Sequence, residues 1–207
     1  MIRERQYLLW AGVIAGPLFY LVVLVQIPLK TGFSIWEHPV SLLALGPGGW
    51  VQAVNFAITG LLFLLAGLGM FGIERRRLHA ALIVLSGIGL VVVAINPSDP
   101  FKGFPPEVAS VPELTMSRHA MLHGLGFLLC FGSLLLTALW TAIQGSVLKD
   151  IASAAPAAFT CVTVIALIWI GFANPDLNSE SFFLAGIIAF GWFSVLCRTT
   201  SMRGRTA

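Results

Sequence analysis

The chain is predicted to be all-α and polytopic, a single domain over residues 1–207 that forms a six-transmembrane-helix bundle. Three observations carry that prediction. Six apolar runs, each long enough to cross a bilayer, fill most of the 207 residues. Charged residues make up 10% of the chain against 57% hydrophobic, with a mean hydropathy of +0.92, where a soluble domain carries about 25% charge. Almost all of that charge falls in the gaps between the runs. Helices follow rather than strands, because a strand in lipid leaves edge groups unpaired and the runs lack the polar–apolar alternation of a membrane barrel.

The spans are read at about 8–29, 50–72, 78–95, 119–142, 156–174 and 182–198, each sufficient at about 1.5 Å per residue to traverse a hydrocarbon layer of about 30 Å. The first begins after Arg3 and Arg5 and runs through Phe19–Val25 without a small-x-small cleavage pattern, so it is read as a retained helix. Its Gly12 and Gly16, like Gly124, Gly126 and Gly132 of the fourth span, belong to the small-residue vocabulary of membrane-helix packing. The second span places Gln52, Asn55 and Thr59 about one turn apart. An unmatched amide in hydrocarbon is costly, so these are expected to bond a neighbouring helix, with the floor of a pocket as the alternative. The third follows the triplet Arg75-Arg76-Arg77 and carries His79 as an interfacial residue; the fifth opens at Pro156 and closes at Asn174 and Asp176. Cys130, Cys161 and Cys197 lie inside spans without metal-like spacing and read as apolar fillers, as Tyr20, Trp169 and the phenylalanines read as packing bulk.

Charge asymmetry sets the expected orientation. Arg3, Arg5, Arg75, Arg76, Arg77, Lys149, Arg198, Arg203 and Arg205 share one side, against Lys30, Lys102 and Arg118 on the other. The acids divide oppositely: Glu4, Glu74 and Asp150 against Glu37, Asp99, Glu107, Glu113, Asp176 and Glu180. The positive-inside rule therefore predicts cytoplasmic N- and C-termini. With topology accounting for the basic balance, no nucleic-acid partner is expected; membrane lipids are, with a small molecule at the outer face.

The two long outer connections carry the chemistry. Residues 30–49 and the segment from Asn96 exceed minimal turns, with Trp36 and Trp50 as interface anchors and Pro39–Leu45 as a short interfacial helix stopped at Gly46-Pro47-Gly48-Gly49. His119 and His123, four apart, project from one face of the fourth span. His38 and Asp99 lie in the two connections. Two helix histidines with a third His or an Asp match the ligand types of zinc with an open position for water. In that arrangement His38, His119 and His123 are the metal ligands, Asp99 is the water-orienting base or a fourth ligand and Ser41 assists charge or proton transfer, Asp99 and Ser41 being the catalytic candidates. The plainer alternative is that the histidines cap helices and bond loop carbonyls, since His-x-x-x-His lacks the glutamate of His-Glu-x-x-His, and that Asp99 caps a turn between Pro97 and Pro100. A bis-histidine haem is not expected, because His119 and His123 share a face and cannot clamp opposite sides of one ring.

The segment His38-Pro39-Val40-Ser41-Leu42-Leu43-Ala44-Leu45-Gly46-Pro47-Gly48-Gly49-Trp50-Val51-Gln52, with Asn55-Phe56 and Thr59-Gly60, resembles the signature of the bacterial membrane family catalogued as domain of unknown function 998. Pro97-Ser98-Asp99-Pro100, Gly103 with Pro105-Pro106, and His119-x-x-x-His123 are similar to its later segments, so the resemblance covers essentially the whole chain. It implies a roughly six-helix protein of a bacterial inner membrane, with His38, Ser41, Asp99, His119 and His123 at family-like positions, and it supplies no reaction. Asn96-Pro97-Ser98 stands where relatives read Phe-Pro-Thr. In composition alone, Ser, Asp and three His are also similar to metal-dependent lipid hydrolases of the alkaline-ceramidase type, which have more spans and different spacing. The expected function is an outward-facing polar vestibule that binds a lipid or small ligand. A zinc-dependent intramembrane hydrolase of a lipid amide or ester, and a small transporter component, are the alternatives. The transporter needs a polar route through an inner half that offers little beyond Ser86, Thr137 and the hydroxyls of the fifth span. Whether the protein is an enzyme stays open at this stage.

Overall fold

A computed structural model describes residues 2–108 and 116–203, with side chains from Arg5 onward. Of the charges used for orientation, the side chains of Arg3, Glu4, Glu113 and Arg205 lie outside the described residues. The chain forms six long helices: α1 (Ile2–Gln26), α2 (Trp50–Phe71), α3 (Arg77–Ile95), α4 (Arg118–Val147), α5 (Ile151–Ala173) and α6 (Asn178–Arg203). All six are long and apolar enough to cross a membrane, and no strand occurs among the described residues. Their outward positions, including Leu21, Leu128, Val162 and Trp169, are exposed apolar side chains, an arrangement whose solvent is lipid. This is a multi-pass membrane protein.

The helices stand in a ring in chain order, each against its sequence neighbours, and α6 closes back onto α1. Small residues draw most of the walls together. A Cβ built on Gly60 of α2 would lie 2.8 Å from the Gly87 carbonyl oxygen of α3, and one on Gly89 of α3 would lie 2.6 Å from the Gly126 carbonyl oxygen of α4. A Cβ on Gly16 of α1 would lie 3.0 Å from the Phe190 carbonyl oxygen on α6. Where lipid removes the usual hydrophobic drive between helices, such backbone contact supplies dispersion that a larger residue would block. Inside the ring, Phe63 stacks on Phe193 at 4.0 Å between ring centres, and Phe19 packs edge-on to Phe190 at 5.4 Å.

Buried amides are paired across α1 and α2. Gln26 Nε2 donates to Gln52 Oε1 at 2.8 Å, and Asn55 Nδ2 donates to the Phe19 carbonyl at 3.1 Å. This is the interhelical role expected of Gln52 and Asn55, whereas Thr59 Oγ1, of which the same was expected, is buried without a hydrogen-bond partner among the described residues. Two local readings differ from the structure and one is sharpened by it. The fifth helix begins at Ile151 rather than Pro156, because the Asp150 carboxylate accepts the Ser153 N–H at 3.3 Å and caps it one turn earlier. The short helix expected within Pro39–Leu45 is present as a 3₁₀ helix over Val40–Ala44, with Leu42 and Leu43 buried against the bundle. His79 is fully buried, its Nε2 3.1 Å from both Arg76 Nη1 and Thr141 Oγ1. At the same end Arg203 pairs with Asp150 at 2.8 Å, joining α6 to the start of α5.

Candidate functional site

The two long connections lie at one end of the ring, here the loop end. His38 is the residue that clasps them. Its Nδ1 accepts the Ser34 N–H at 3.0 Å, which fixes the tautomer, so Nε2–H donates to the Lys102 carbonyl at 3.2 Å. The ring is 3% exposed and packs between Phe33 and Phe104, at 5.6 and 5.2 Å between ring centres. Lys102 carries the clasp to a third connection, its Nζ donating to the Pro175 carbonyl at 3.2 Å and lying 3.7 Å from Asp176. All three loop-end connections are thereby tied into one roof.

Asn96, which caps the end of α3, holds both histidines of α4. Its Nδ2 donates to the Val92 carbonyl at 2.8 Å, leaving Oδ1 to accept His119 Nδ1–H at 3.1 Å. Its main-chain carbonyl accepts His123 Nδ1–H at 2.8 Å. Both imidazoles thus direct Nδ1–H at Asn96, which leaves Nε2 of each ring out of these bonds. Asp99 serves the start of α4: its Oδ2 accepts the Ser117 N–H at 2.8 Å while Ser117 Oγ accepts the Ala120 N–H at 3.0 Å. Ser41 Oγ meets Ser98 Oγ at 3.4 Å.

This geometry does not assemble the expected zinc centre. His38 uses both nitrogens on backbone partners, Asp99 is occupied as a cap, and no three His, Cys, Asp or Glu side chains gather around a point among the described residues. His119 and His123 do meet, through Asn96, and supply two nitrogens where a catalytic zinc site takes three protein ligands. The residues present therefore do not fit that group.

What lies beneath the roof is apolar. A cavity of about 250 Å³ is lined from all six helices and from Pro39, Val40 and Ser41 of the first connection. Its walls are mainly aromatic, with Phe19 and Tyr20 of α1, Phe56 of α2, Phe127 and Phe131 of α4, and Phe182 and Phe190 of α6. The polar groups on its surface are the His123 ring, the Ser41 hydroxyl, the Cys130 thiol and the Tyr20 hydroxyl, and the last donates to the Phe183 carbonyl at 3.3 Å. The anticipated polar vestibule is in this respect a hydrocarbon-like chamber. Gln52 and Asn55 do not line it; Gln52 Oε1 and Asn55 Nδ2 are engaged between α1 and α2.

Sequence reasoning passed over Asn96 and the aromatic wall. The first had a readable signal, an Asn-Pro pair ending an apolar run, which marks a helix C-terminus with a side chain able to bond across it. The second was legible as Gly124, Phe127 and Phe131 at i, i+3 and i+7 on one face of α4. Phenylalanines are common in membrane spans, and the same spacing describes a filled core as well as a hollow one.

The family model described as "Protein of unknown function (DUF998)" matches residues 13–199. No curated protein and no solved structure matches the chain.

Proposed function

The chain belongs to the family of proteins of unknown function designated DUF998, and from that premise we propose that it binds a single hydrocarbon chain of a lipid or small amphiphile inside the ring. The observation that carries this reading is the 250 Å³ cavity, aromatic on nearly every side and set within the spans. At about 30 Å³ for a water-sized group, it takes roughly eight methylene-sized units, one short chain or part of a longer one. A diacyl lipid does not fit whole.

Moving a chain from bilayer to this cavity gains little from the hydrophobic effect, since lipid tails are as apolar as the walls. Selectivity then falls to shape and to the polar end. In its neutral form His123 presents an acceptor at Nε2, because Asn96 holds its Nδ1–H, and Ser41 presents a hydroxyl on the same surface. An alcohol or carboxyl end group bonded there gains about 0.5–1.5 kcal/mol per bond over an unpaired neighbour in the membrane. On the charge asymmetry of the sequence, the loop end faces outward and the termini face the cytoplasm.

The test is displacement of a fluorescent long-chain fatty acid from delipidated protein in detergent. Saturable binding of one probe per chain is expected, weakened at least tenfold by the cavity-filling Cys130→Phe. Absence of saturable binding, or binding indifferent to both Cys130→Phe and Val93→Phe, would refute the proposal.

A further inference from the structure

The cavity has walls of unequal closure. Its roof is sealed by the His38–Lys102 clasp, with Leu42, Leu43 and Phe104 buried beneath. Glycine-mediated backbone contact closes α2 on α3, α3 on α4 and α6 on α1. Gly171 of α5 fits against the Phe182 ring, and Asn178 Nδ2 donates to the Gly171 carbonyl at 3.1 Å, closing α5 on α6 at the loop end. Between α4 and α5 the glycine contact lies elsewhere: Gly145 meets Ala154 at the opposite end of the bundle, beside the short turn that joins the two helices.

At the loop end, two cavity-lining residues, one on α4 and one on α5, are also exposed on the bundle surface. Gly124 is exposed, and a Cβ built on it meets nothing within 4 Å. Phe172 lines the same cavity and is 67% exposed. Helix α5 is also the least enclosed of the six, with 28% of its most apolar window buried against 39–50% in the others. A residue that is at once cavity wall and membrane surface marks an opening between the two.

We infer that the cavity is filled from the side, a membrane-dissolved hydrocarbon chain sliding in from the loop-end leaflet between α4 and α5 past Gly124 and Phe172; this rests on the chain-binding reading above. The route suits the ligand: a chain that leaves the bilayer sideways never exposes its methylenes to water and so avoids the cost of hydrating them. A path through the roof would instead break the clasp and carry the chain through the aqueous interface.

The test reconstitutes the full chain in phosphatidylcholine vesicles containing a diazirine-bearing long-chain fatty acid, and maps photo-crosslinks by mass spectrometry. Gly124→Trp adds an indole where a Cβ meets nothing within 4 Å, and is expected to obstruct the seam without a clash at its root. Gly191→Trp, whose Cβ also meets nothing within 4 Å on exposed α6 surface, is the matched control. Cavity crosslinks to Phe131 and Phe190 are expected in the wild type and in Gly191→Trp, to fall at least fivefold in Gly124→Trp, and to form about twofold faster in Phe172→Ala. Undiminished cavity labelling in a folded Gly124→Trp protein would overturn lateral access while leaving chain binding intact. Absence of cavity labelling in the wild type would overturn the chain-binding reading itself, and this route with it.

Discussion

The wall formed by α2, α3 and α4 and the wall formed by α4 and α5 use the same vocabulary to opposite ends. In the first, Gly60, Gly87, Gly89 and Gly126 bring backbones so close that a single added methyl collides with a carbonyl or amide. In the second, Gly124 faces open space at the loop end and the helices touch through Gly145 at the other. A glycine in a membrane helix is therefore not by itself a packing signal. What it does depends on whether a neighbouring helix fills the place of its missing side chain, and here one helix, α4, shows both outcomes on two of its faces.

Breaking the closed wall gives the largest effect expected. Gly89→Leu must displace backbone atoms of α4 rather than flexible side-chain ends, so it is expected to cost about 3 kcal/mol or more and to abolish a monodisperse peak in detergent chromatography. Gly124→Trp on the open wall should leave melting within the ±0.5 kcal/mol typical of surface changes. Comparable destabilisation by the two would erase the contrast.

The roof spanning both walls comes next. His38→Ala removes two hydrogen bonds and the ring between Phe33 and Phe104, a loss of about 2–3 kcal/mol. It should raise proteolysis of the loop-end connections, and unchanged protection would show that the clasp does not hold them. Asn96→Ala sharpens the picture at the α3–α4 seam. It deletes the side-chain bond to His119 and keeps the carbonyl that orients His123. The expected cost is about 1 kcal/mol by thermal melting with fatty-acid binding retained; loss of binding would mean that His119 contributes to the site.

The smallest effect belongs to the terminus end. The Ser153 hydroxyl first, then Arg203, hold the Asp150 carboxyl below its usual range. A lowered folded value means the contribution is complete above the ordinary carboxylate range and is lost as pH falls through that lowered value. Hydrogen exchange at the start of α5 should therefore quicken only in strong acid, and Asp150→Asn should remove that acid sensitivity.

The sequence revealed much of the fold and less of the site, for a physical reason. Span number and type follow from composition and length, which one-dimensional patterning records directly: each of the six runs became a helix within a few residues of its expected place. Asp150 shows where such reading slips, because a cap outside the apolar run extended the helix beyond the proline taken as its start. His38, His119, His123, Asp99 and Ser41 were correctly grouped at one end, yet shared residence on a face does not fix partners. His38 turned to backbone atoms, Asp99 to a helix start, and the two α4 histidines to an asparagine that ligand chemistry had given no reason to examine. A void leaves no sequence pattern of its own, since the phenylalanines around it have the periodicity of a solid core.

The ring order of the helices bears on biosynthesis. Because every helix rests on its predecessor, the chain can dock progressively as it emerges from the ribosome, pairing local segments with little loop-closure entropy at each stage. One long-range union remains, when the last helix meets the first. Since Phe182, Phe183 and Phe190 belong to that last arrival, a nascent chain halted before it has five helices assembled and still lacks a chamber able to retain anything.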